Sequence, residues 1–532
     1  MSDVLKELKE YAALDRENCL LKDLQIRIVE DCLTISNPST STTTCQIFSP
    51  EEYYHVLTDG DAGSTLLDQL ASLLARPYMT KIVALPDAHA GKQFPVGISC
   101  SFDPSHPDCK IIPEMIGFDI NCGVRLWATN IKRSEFLSIR EAFMTRAFEC
   151  IGIKDRIIPL SKEIDTDKIL QNGVPYLIEL GIATEMDALC TESNGCLPVQ
   201  NVKKLLDQKT RAAARKQLGT LGDGNHYIEV QVVGDVFDKE VCARLGLDLD
   251  TVCVSVHTGS RSVGSTAVTR LLNKCAEQQD VYMQTGTVEI PINDPLAEKY
   301  FETVNACSNF AFCNRVVIGK EVEDVFREII KANQPSTDGP NTAQPTCVPG
   351  IGLPQDFTMQ VISDSAHNIV RLEERNGKKV VRIRKGSTQI VPYGDKERKE
   401  MGAASGKEDA STSECAQQGS VHCPYVVSVG GSMSTGSYVL SAGEKGENVD
   451  YVTCHGSGRL VRRKDAKQAV TEESIKEELA NANVSMRVRN INKIGEESSR
   501  TYKCIDKVVE YCKKTGLSNK VCRLIPLGGI KG

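Results

Sequence analysis

Four histidines stand in loops built from glycine, asparagine, serine or threonine, and several apolar, strand-like runs lead into such loops. The chain contains only eight histidines, and these four occur in Gly224-Asn225-His226, His257-Thr258-Gly259, His367-Asn368 and His455-Gly456. The strand-like runs cover residues 82–85, 252–256, 361–362 and 426–429. Side chains so far apart in the chain can share a site only if distant strands converge. We therefore expect the loops to meet in one deep cleft.

The other regular pattern in the sequence is helical. Helical periodicity is present in residues 134–150, 202–217, 267–278, 322–332, 471–482 and 505–514. Helices and strands together predict an α/β fold of the mixed α+β type, with mixed sheets. A chain of 532 residues has room for several domains or for one elaborate domain. Residues 334–356 and 394–420 are rich in Gly, Ser, Thr, Pro and charged residues, which predicts surface insertions.

The N-terminal segment and the cysteines indicate the compartment. Residues 1–22 mix charged with apolar side chains, unlike a signal peptide, and no apolar run is long enough to span a bilayer. The 21 cysteines are scattered without a Cys-x-x-Cys pair, which argues against a disulfide framework or a zinc ribbon. We expect an intracellular protein, of the cytoplasm, the nucleus or both, with reduced cysteines and no membrane association.

The charge balance limits how the chain can bind nucleic acid. A net charge of −7 disfavours a protein that coats nucleic acid nonspecifically. It leaves room for a local basic surface, for which the candidates are Arg459, Arg462, Arg463 and Lys464. Lys385-Gly386-Ser387-Thr388 looks like the end of a P-loop, but the upstream glycine is missing, which excludes a Walker A site.

Asp119 and Cys122 are candidate metal ligands. They lie three residues apart in a turn-prone segment, so a carboxylate and a thiolate can converge on one ion or on adjacent ions. On their own they also fit a capping aspartate beside a buried cysteine. Residues 257–261 offer main-chain donors, hydroxyls and a guanidinium to an oxyanion, and residues 430–437 form a glycine loop that can approach a phosphate closely. Together these features indicate a metal-dependent site for phosphate chemistry.

A series of short motifs runs in order through nearly the whole chain. Its members are Leu85-Pro86-Asp87-Ala88-His89, residues 117–125, residues 218–229, residues 257–261, residues 309–315, His367-Asn368, residues 384–388, residues 430–440, residues 454–459 and Ile530-Lys531-Gly532. Each motif is modest, but the ordered combination is highly specific. In this order they resemble the RtcB family of RNA-splicing ligases.

The resemblance implies one large RtcB-like catalytic domain over residues 1–532, with a metal- and nucleotide-binding cleft. Members of that family join an RNA end bearing a 2',3'-cyclic phosphate or a 3'-phosphate to a 5'-hydroxyl end. They use GTP and manganese and act on split tRNA exons. The implied partners are such RNAs, other cleaved RNAs, an archease-like activator and a tRNA-ligase complex.

Carried over position by position, the resemblance implies a site with two Mn²⁺ ions. Asp119, Cys122 and His226 would hold one ion. Cys122, His257 and His367 would hold the other, so the thiolate would bridge both. His455 would be the nucleophile that becomes guanylylated, so that GMP is attached covalently to its ring. The residues around the guanine nucleotide would be Asn225, His226, Tyr227, Ile228, Glu229, His367, Asn368, Gly430, Gly431, Ser432, Met433, Ser437, His455, Gly456, Ser457, Gly458, Tyr502 and Lys531. The candidates for holding RNA phosphates are Arg261, Lys385 and Arg463.

Two other functions fit the same residues. A two-metal phosphodiesterase or phosphatase would use the ligands to activate water without a covalent nucleotide. A noncatalytic RNA-binding scaffold would keep the fold alone. His455 and Lys531 discriminate among these functions, because hydrolysis needs neither a nucleophilic imidazole nor a guanine site.

Overall fold

A computed structural model describes the chain in stretches, which are residues 6, 8, 10, 21, 23–39, 43–61, 64–152, 164–278, 282–284, 287–333, 353–375, 377–392, 426–462, 465–466, 470–489 and 491–532. Residues 334–352 and 394–420 lie outside them, so the two surface insertions stay predictions. Arg463 and Lys464 also lie outside the described residues. No described helix is long and apolar enough to cross a membrane.

The described strands form two large sheets and three two-stranded ones. In chain order the strands are β1 (Gln25–Val29), β2 (Cys32–Ser36), β3 (Thr44–Ile47), β4 (Met79–His89), β5 (Val96–Phe102), β6 (Lys110–Ile111), β7 (Gly123–Lys132), β8 (Tyr227–Val236), β9 (Thr251–Thr258), β10 (Met283–Gln284), β11 (Thr287–Val288), β12 (Ile290–Pro291), β13 (Met359–Ala366), β14 (Asn368–Arg375), β15 (Lys378–Lys385), β16 (Ser387–Gln389), β17 (Val426–Gly430), β18 (Ser437–Ala442), β19 (Val452–Cys454), β20 (Ser485–Val488) and β21 (Ser518–Lys531).

The described helices lie between and around these strands. The α-helices are α1 (Leu66–Leu74), α2 (Arg133–Cys150), α3 (Thr166–Asn172), α4 (Val174–Glu179), α5 (Glu185–Leu189), α6 (Val202–Leu205), α7 (Gln208–Gln217), α8 (Lys239–Leu245), α9 (Arg261–Ala276), α10 (Pro295–Ala332), α11 (Glu472–Asn481) and α12 (Ile505–Lys514). Short 3-10 helices cover Glu51–Leu57, Pro113–Met115, Glu192–Gly195, Glu447–Val449, Ile491–Glu497 and Ser499–Thr501.

The two large sheets are mixed, as the sequence predicts. The seven-stranded sheet has the order β1-β2-β3-β4-β5-β15-β14, and the eight-stranded sheet has the order β13-β7-β9-β8-β21-β18-β17, with β20 beside β21. Among the described ladders, β3–β4 and β20–β21 are parallel and the others antiparallel. One face of the eight-stranded sheet packs on α2 and α10 through an apolar cluster that includes Phe136, Phe143, Val230, Val254 and Phe326. The predicted α/β fold is confirmed.

The helices match their predictions where the signal is local. α2, α11 and α12 end within one residue of the predicted segments 134–150, 471–482 and 505–514. The predicted helix at 202–217 is instead two helices, α6 and α7. Asp207 explains the break, because its Oδ1 accepts a hydrogen bond from the Thr210 main-chain nitrogen at 2.9 Å and so caps the start of α7.

α9 and α10 both extend beyond their predicted limits. α9 begins at Arg261 instead of residue 267, since its first turns are polar. α10 spans 38 residues and not only 322–332. Nearly every side chain of α10 from 303 to 319 is buried, so the segment lacks the one-sided apolar stripe that marks a surface helix.

Arg315 of α10 joins the loops that carry the candidate ligands. Its side chain is fully buried. Arg315 Nε donates to Asp364 Oδ1 at 2.7 Å, and Nη1 donates to the main-chain oxygens of Asn121 and Thr258, both at 2.9 Å. Nη2 donates to Asn121 Oδ1 at 2.9 Å. One guanidinium therefore fixes the end of β9, the strand β13 and the turn before β7.

We expect the substitution Arg315→Met to lower the free energy of unfolding by about 3–5 kcal/mol, because the Asp364 carboxylate and two carbonyls lose a buried donor. Urea unfolding followed by the fluorescence of the single, buried Trp127 measures the change. Arg327→Met on the same helix is the control. Arg327 is 50% exposed and pairs with Glu323, so its loss should cost at most about 1 kcal/mol. Equal losses in the two variants would contradict the structural role of Arg315.

Candidate active site

The candidate ligands lie where neighbouring strands of the eight-stranded sheet end. Cys122 precedes β7, His226 precedes β8, His257 is next to the last residue of β9, and His367 follows β13. The strands β13, β7, β9 and β8 are antiparallel neighbours in that order. Their ends with histidine or cysteine therefore meet at one edge, which is the convergence expected from the sequence.

Five side chains form two overlapping groups of possible metal ligands. Asp119, Cys122 and His226 form one group, and Cys122, His257 and His367 form the other, with the ligand atoms of each group within 4.8 Å of one another. Cys122 Sγ lies 3.4 Å from His226 Nε2 and 3.2 Å from His257 Nε2. His226 Nε2 lies 2.8 Å from Asp119 Oδ2, and His257 Nε2 lies 3.3 Å from His367 Nε2. This donor set fits two cations that share the thiolate.

The protonation preferences of these groups follow from burial and from one another. Burial lowers the pKa of His257 and of His367 well below the usual range, and neighbouring histidines lower both further. Neutral imidazoles are the form that binds metal. Burial raises the pKa of the Cys122 thiol, and the Asp119 carboxylate raises it further. Loss of water around Asp119 favours its neutral form, yet His226 and Arg261 hold the pKa of the carboxyl at about 2.

Hydrogen bonds from a second layer orient the imidazoles. His257 Nδ1 lies 3.0 Å from the Asn225 main-chain oxygen, so the proton belongs on Nδ1 and Nε2 is free to bind a cation. Arg261 Nη1 lies 3.2 Å from His226 Nδ1. The Asn368 main-chain oxygen accepts the N–H of Asn121 at 2.7 Å, which holds the loop before Cys122 against the start of β14.

His455 follows β19, and its ring approaches the second ligand group. The centroids of the His455 and His367 rings are 5.0 Å apart. Asp87 of β4 is buried, and its Oδ2 lies 2.6 Å from His455 Nδ1 and accepts the His455 main-chain N–H at 2.9 Å. The carboxylate therefore keeps the proton on Nδ1 and leaves a lone pair on Nε2. The His455 side chain is 17% exposed, so a substrate can reach it.

Two residues support His455 although the sequence alone predicts no function for them. Asp87 stands in a motif of the resemblance, but nothing local connects it with a histidine 368 residues away. Lys503 Nζ donates to the main-chain oxygens of Pro86 and Ala88 at 3.0 and 2.7 Å, on either side of Asp87. Burial lowers the pKa of Lys503 to about 8, against the pull of the Asp87 carboxylate. No sequence signal marks Lys503.

A connected set of polar side chains lies around the loop that carries His455. Arg459 Nη1 donates to Tyr502 Oη at 2.8 Å. Tyr502 Oη donates to Glu497 Oε2 at 2.9 Å, and Lys531 Nζ donates to the same oxygen at 3.0 Å. Tyr502 and Lys531, both predicted nucleotide contacts, are thus joined through Glu497, which the sequence did not indicate. Arg459 turns inward to this set, and the main-chain pairing of Gly430 with Gly456 joins the glycine loop to it.

Glu229 occupies a buried position beside this set. Burial raises the pKa of its carboxyl to about 7, and Lys531 opposes the shift. Gln231 Nε2 donates to Glu229 Oε2 at 3.0 Å and to Ser437 Oγ at 2.8 Å. Lys531 Nζ lies 5.8 Å from the centroid of the Tyr227 ring. The predicted contacts Tyr227, Glu229, Ser437 and Lys531 therefore lie together.

Two predicted nucleotide contacts turn their side chains into apolar clusters. Ile228 packs in the cluster with Val230 and Val254, and Met433 packs with Ile475 and other residues. A ligand could meet these two residues only through their main chain. Ser457 behaves differently, because its buried Oγ has no hydrogen-bond partner among the described residues.

The cations predicted to hold RNA phosphates differ in their surroundings. Arg261 lies next to the first ligand group, because its guanidinium contacts the ring of His226. Burial lowers the pKa of Lys385 to about 8, and a Cβ on Gly117 would lie 3.2 Å from Lys385 Nζ, which puts this ammonium beside the loop of Asp119. The third candidate, Arg463, lies outside the described residues, and its neighbour Arg462, a candidate for the local basic surface, donates from Nη1 to Asp61 Oδ2 at 2.9 Å.

Comparison with known proteins points to the same family as the ordered sequence motifs. The family model described as tRNA-splicing ligase RtcB matches residues 69–344 and 349–532. The RNA-splicing ligase RtcB homolog 1 of Entamoeba histolytica is 29% identical over 512 residues, which cover 92% of this chain and 88% of that protein. The tRNA-splicing ligase RtcB of Thermococcus kodakarensis is 30% identical over 480 residues, which cover 88% of this chain and 91% of that protein.

The fold and the site define a protein with a candidate two-metal centre next to a carboxylate-supported histidine. The chain belongs to the RtcB family. The resemblance inferred from the sequence motifs is thereby confirmed.

We expect the substitution Cys122→Ala to remove both ions, because its sulfur lies in both ligand groups. His226→Ala should remove one ion, since it lies in one group. Elemental analysis after dialysis against Mn²⁺ gives the ions bound per chain. Cys100→Ala, which removes a buried thiol of β5, is the control and should keep both ions. A Cys122→Ala variant that retains both ions tightly would rule out the shared thiolate.

Proposed function

We propose that the protein is an RNA ligase that joins a 2',3'-cyclic phosphate or 3'-phosphate end to a 5'-hydroxyl end, using GTP and Mn²⁺, through a guanylylated His455. Membership of the RtcB family supports the ligase class. The observation that carries the mechanism is the position of His455, with Nδ1 on Asp87 and its ring against His367 of the candidate metal centre.

His455 is suited to attack the α-phosphorus of GTP. Asp87 accepts a hydrogen bond from the Nδ1–H group, so the Nε2 lone pair can form the new phosphorus–nitrogen bond while the bond to pyrophosphate breaks. The carboxylate also stabilises the positive charge that the ring gains. Gly386 leaves room for the ring, since it has φ 62° and a Cβ there would lie 3.1 Å from His455 Cε1.

The metal ligands and the main chain would handle the phosphate charge. Asp119, Cys122 and His226 would hold one Mn²⁺, and Cys122, His257 and His367 the other. Bound Mn²⁺ supplies Lewis-acid stabilisation of phosphate charge and activates water to open a cyclic phosphate. The buried Ser457 hydroxyl, which has no hydrogen-bond partner among the described residues and lies two residues from His455, would bind a phosphate oxygen.

Glu229 and Lys531 would select guanine. The edge of guanine presents two adjacent N–H donors, which a carboxylate accepts, and a carbonyl oxygen, which an ammonium can bind. Glu229 and Lys531 lie close enough to interact electrostatically, with Tyr227 beneath Lys531. Adenine presents one amino donor beside an acceptor nitrogen, so one oxygen of the buried carboxylate would be left without a donor.

The guanylyl group would then pass from His455 to the RNA 3'-phosphate, and the 5'-hydroxyl would displace GMP. Split tRNA exons and other cleaved RNAs are the proposed substrates. An archease-like activator and a tRNA-ligase complex are proposed partners, in the cytoplasm or the nucleus. A two-metal hydrolase would need the ligands but not the pairing of Asp87 with His455, which favours the ligase over that alternative and over a noncatalytic scaffold.

His455→Ala should bind Mn²⁺ normally, because His455 belongs to neither ligand group, but form no guanylylated protein and join no RNA ends. Incubation with α-labelled GTP and either Mn²⁺ or Zn²⁺ tests this. Thiolate and imidazole ligands generally favour Zn²⁺ by affinity. The unmodified protein should carry an acid-labile, alkali-stable label at His455 with Mn²⁺. His55→Ala, which removes an exposed histidine, should be labelled normally. Normal ligation by His455→Ala, or a label on lysine, would overturn the mechanism.

GTP binding should weaken as the pH falls from 8 to 6. Burial raises the pKa of Glu229 to about 7, so the carboxylate that accepts from guanine is present above that pH and lost below it. Calorimetric titration with GTP across this range measures the effect, with ATP as the comparison. Glu229→Gln should flatten the pH dependence and reduce the preference for GTP over ATP. An unchanged preference in Glu229→Gln would assign guanine selection elsewhere.

A further inference from the structure

A basic groove opens at the far end of α9 from the ligand loops. It has a volume of about 900 Å³ and is walled by α9, by residues 203–210 and by the start of α10. Its cationic side chains are Lys203, Lys204, Lys209, Arg270, Lys274 and Lys299. Two acidic side chains, Asp207 and Glu277, also line it. In a protein of net charge −7 this is a local concentration of positive charge.

The lysines of the groove are free to meet a partner. Arg270 pairs with Asp207, but the five lysines form no ion pair with a carboxylate among the described residues. Lys203, Lys204, Lys209 and Lys274 are exposed. The hydroxyl groups of Thr266 and Thr269 also line the groove. Cations together with hydroxyl donors are the side chains that bind phosphate oxygens of a nucleic-acid backbone.

α9 connects the groove directly to the candidate metal centre. The helix starts at Arg261, beside His226, and Ser265, Thr269 and Asn273 follow at four-residue steps on one face. At a rise of about 1.5 Å per residue, Lys274 lies about 20 Å along the axis from Arg261. The wall that α9 gives to the groove thus begins at Ser265, about one helical turn from Arg261, which contacts His226.

An exposed aromatic residue lies in the loop that contacts the first turn of α9. Phe118 precedes Asp119 and is 44% exposed. Its main-chain oxygen lies against α9, because a Cβ built on Gly264 would be 2.9 Å from it. Proteins bind single strands by stacking bases on exposed aromatic rings and by pairing phosphates with cations, and Phe118 and the groove lysines supply these two kinds of side chain.

We propose that this groove and Phe118 bind the RNA strand that carries the 5'-hydroxyl, an inference that rests on the proposed ligase function. Displacement at phosphorus places the attacking and leaving oxygens on opposite sides. The leaving nucleotide belongs on the side of His455. Ring contacts run in succession from His226 through His257 and His367 to His455, so the groove opens at the opposite end from the nucleophile.

The test measures how tightly the protein binds two single-stranded RNAs, one ending in a 5'-hydroxyl and one in a 3'-phosphate. Affinities are measured in the absence of GTP and over a range of salt concentrations. For the 5'-hydroxyl strand, Lys203→Gln with Lys204→Gln should make the slope of log affinity against log salt less negative by about 1.4, or about 0.7 per lost phosphate contact. Phe118→Ala should weaken binding of this strand about tenfold. Binding of the 3'-phosphate strand should be unchanged by the lysine changes.

The matched control replaces Lys239 and Lys513 by Gln, which removes the same charge from exposed positions outside the groove. Lys239 follows β8 at the end remote from His226. The control should leave both slopes unchanged, and every lysine variant should still be guanylylated at the normal rate. Equal slopes in groove and control variants would overturn the proposal, as expected if the groove instead takes an acidic polypeptide. A change confined to the 3'-phosphate strand would overturn it too. Failure of the unmodified protein to form a GMP adduct would count against the ligase function alone, because binding here needs no GTP.

Discussion

The site depends on a buried charge pair between α10 and β13. Asp364 receives Arg315 Nε at 2.7 Å on one oxygen and Arg125 Nη1 at 3.1 Å on the other. Buried ions cost several kcal/mol each unless partners and hydrogen bonds compensate them. Arg315 reaches that compensation only when the main-chain oxygens of Asn121 and Thr258 are also in place. The pair therefore couples folding of the core to the positions of the loops that hold Cys122 and His257.

The same low-dielectric surroundings prepare the ligands for a cation. Burial keeps His257 and His367 neutral, and it disfavours a free Cys122 thiolate beside Asp119. A bound cation reverses that preference, since it stabilises the thiolate and the carboxylate together. Without a cation, the thiolate form of Cys122 is therefore disfavoured, and a bound cation would favour it. This explains why such residues are gathered at strand ends, where rigid strands hold them close against that preference.

Local signals in the sequence were sufficient for some parts of the molecule. The periodic segments at α2, α11 and α12 matched, and the four histidines in polar loops lie next to one another in the structure. The buried middle of α10 was not predicted as a helix, because side chains on all its sides are buried and no one-sided apolar stripe is present. The sequence did not reveal the roles of Asp87, Lys503 and Glu497, because these roles come from contacts between distant parts of the chain. The assignment of individual ligands came from the family resemblance, since spacing alone left Asp119 and Cys122 ambiguous.

The site straddles the two large sheets. Cys122, His226 and His257 lie at the ends of strands of the eight-stranded sheet, whereas Asp87 belongs to β4 of the seven-stranded sheet. His455 follows β19, which pairs with β16 just beyond β15 of that second sheet. His367 lies between β13 and β14, where the chain passes from one sheet to the other. His367 thus belongs to a candidate ligand group and also contacts His455. Any shift of one sheet against the other would change the distance between the candidate ligands and His455, so the packing that fixes the sheets also fixes the geometry of the candidate site.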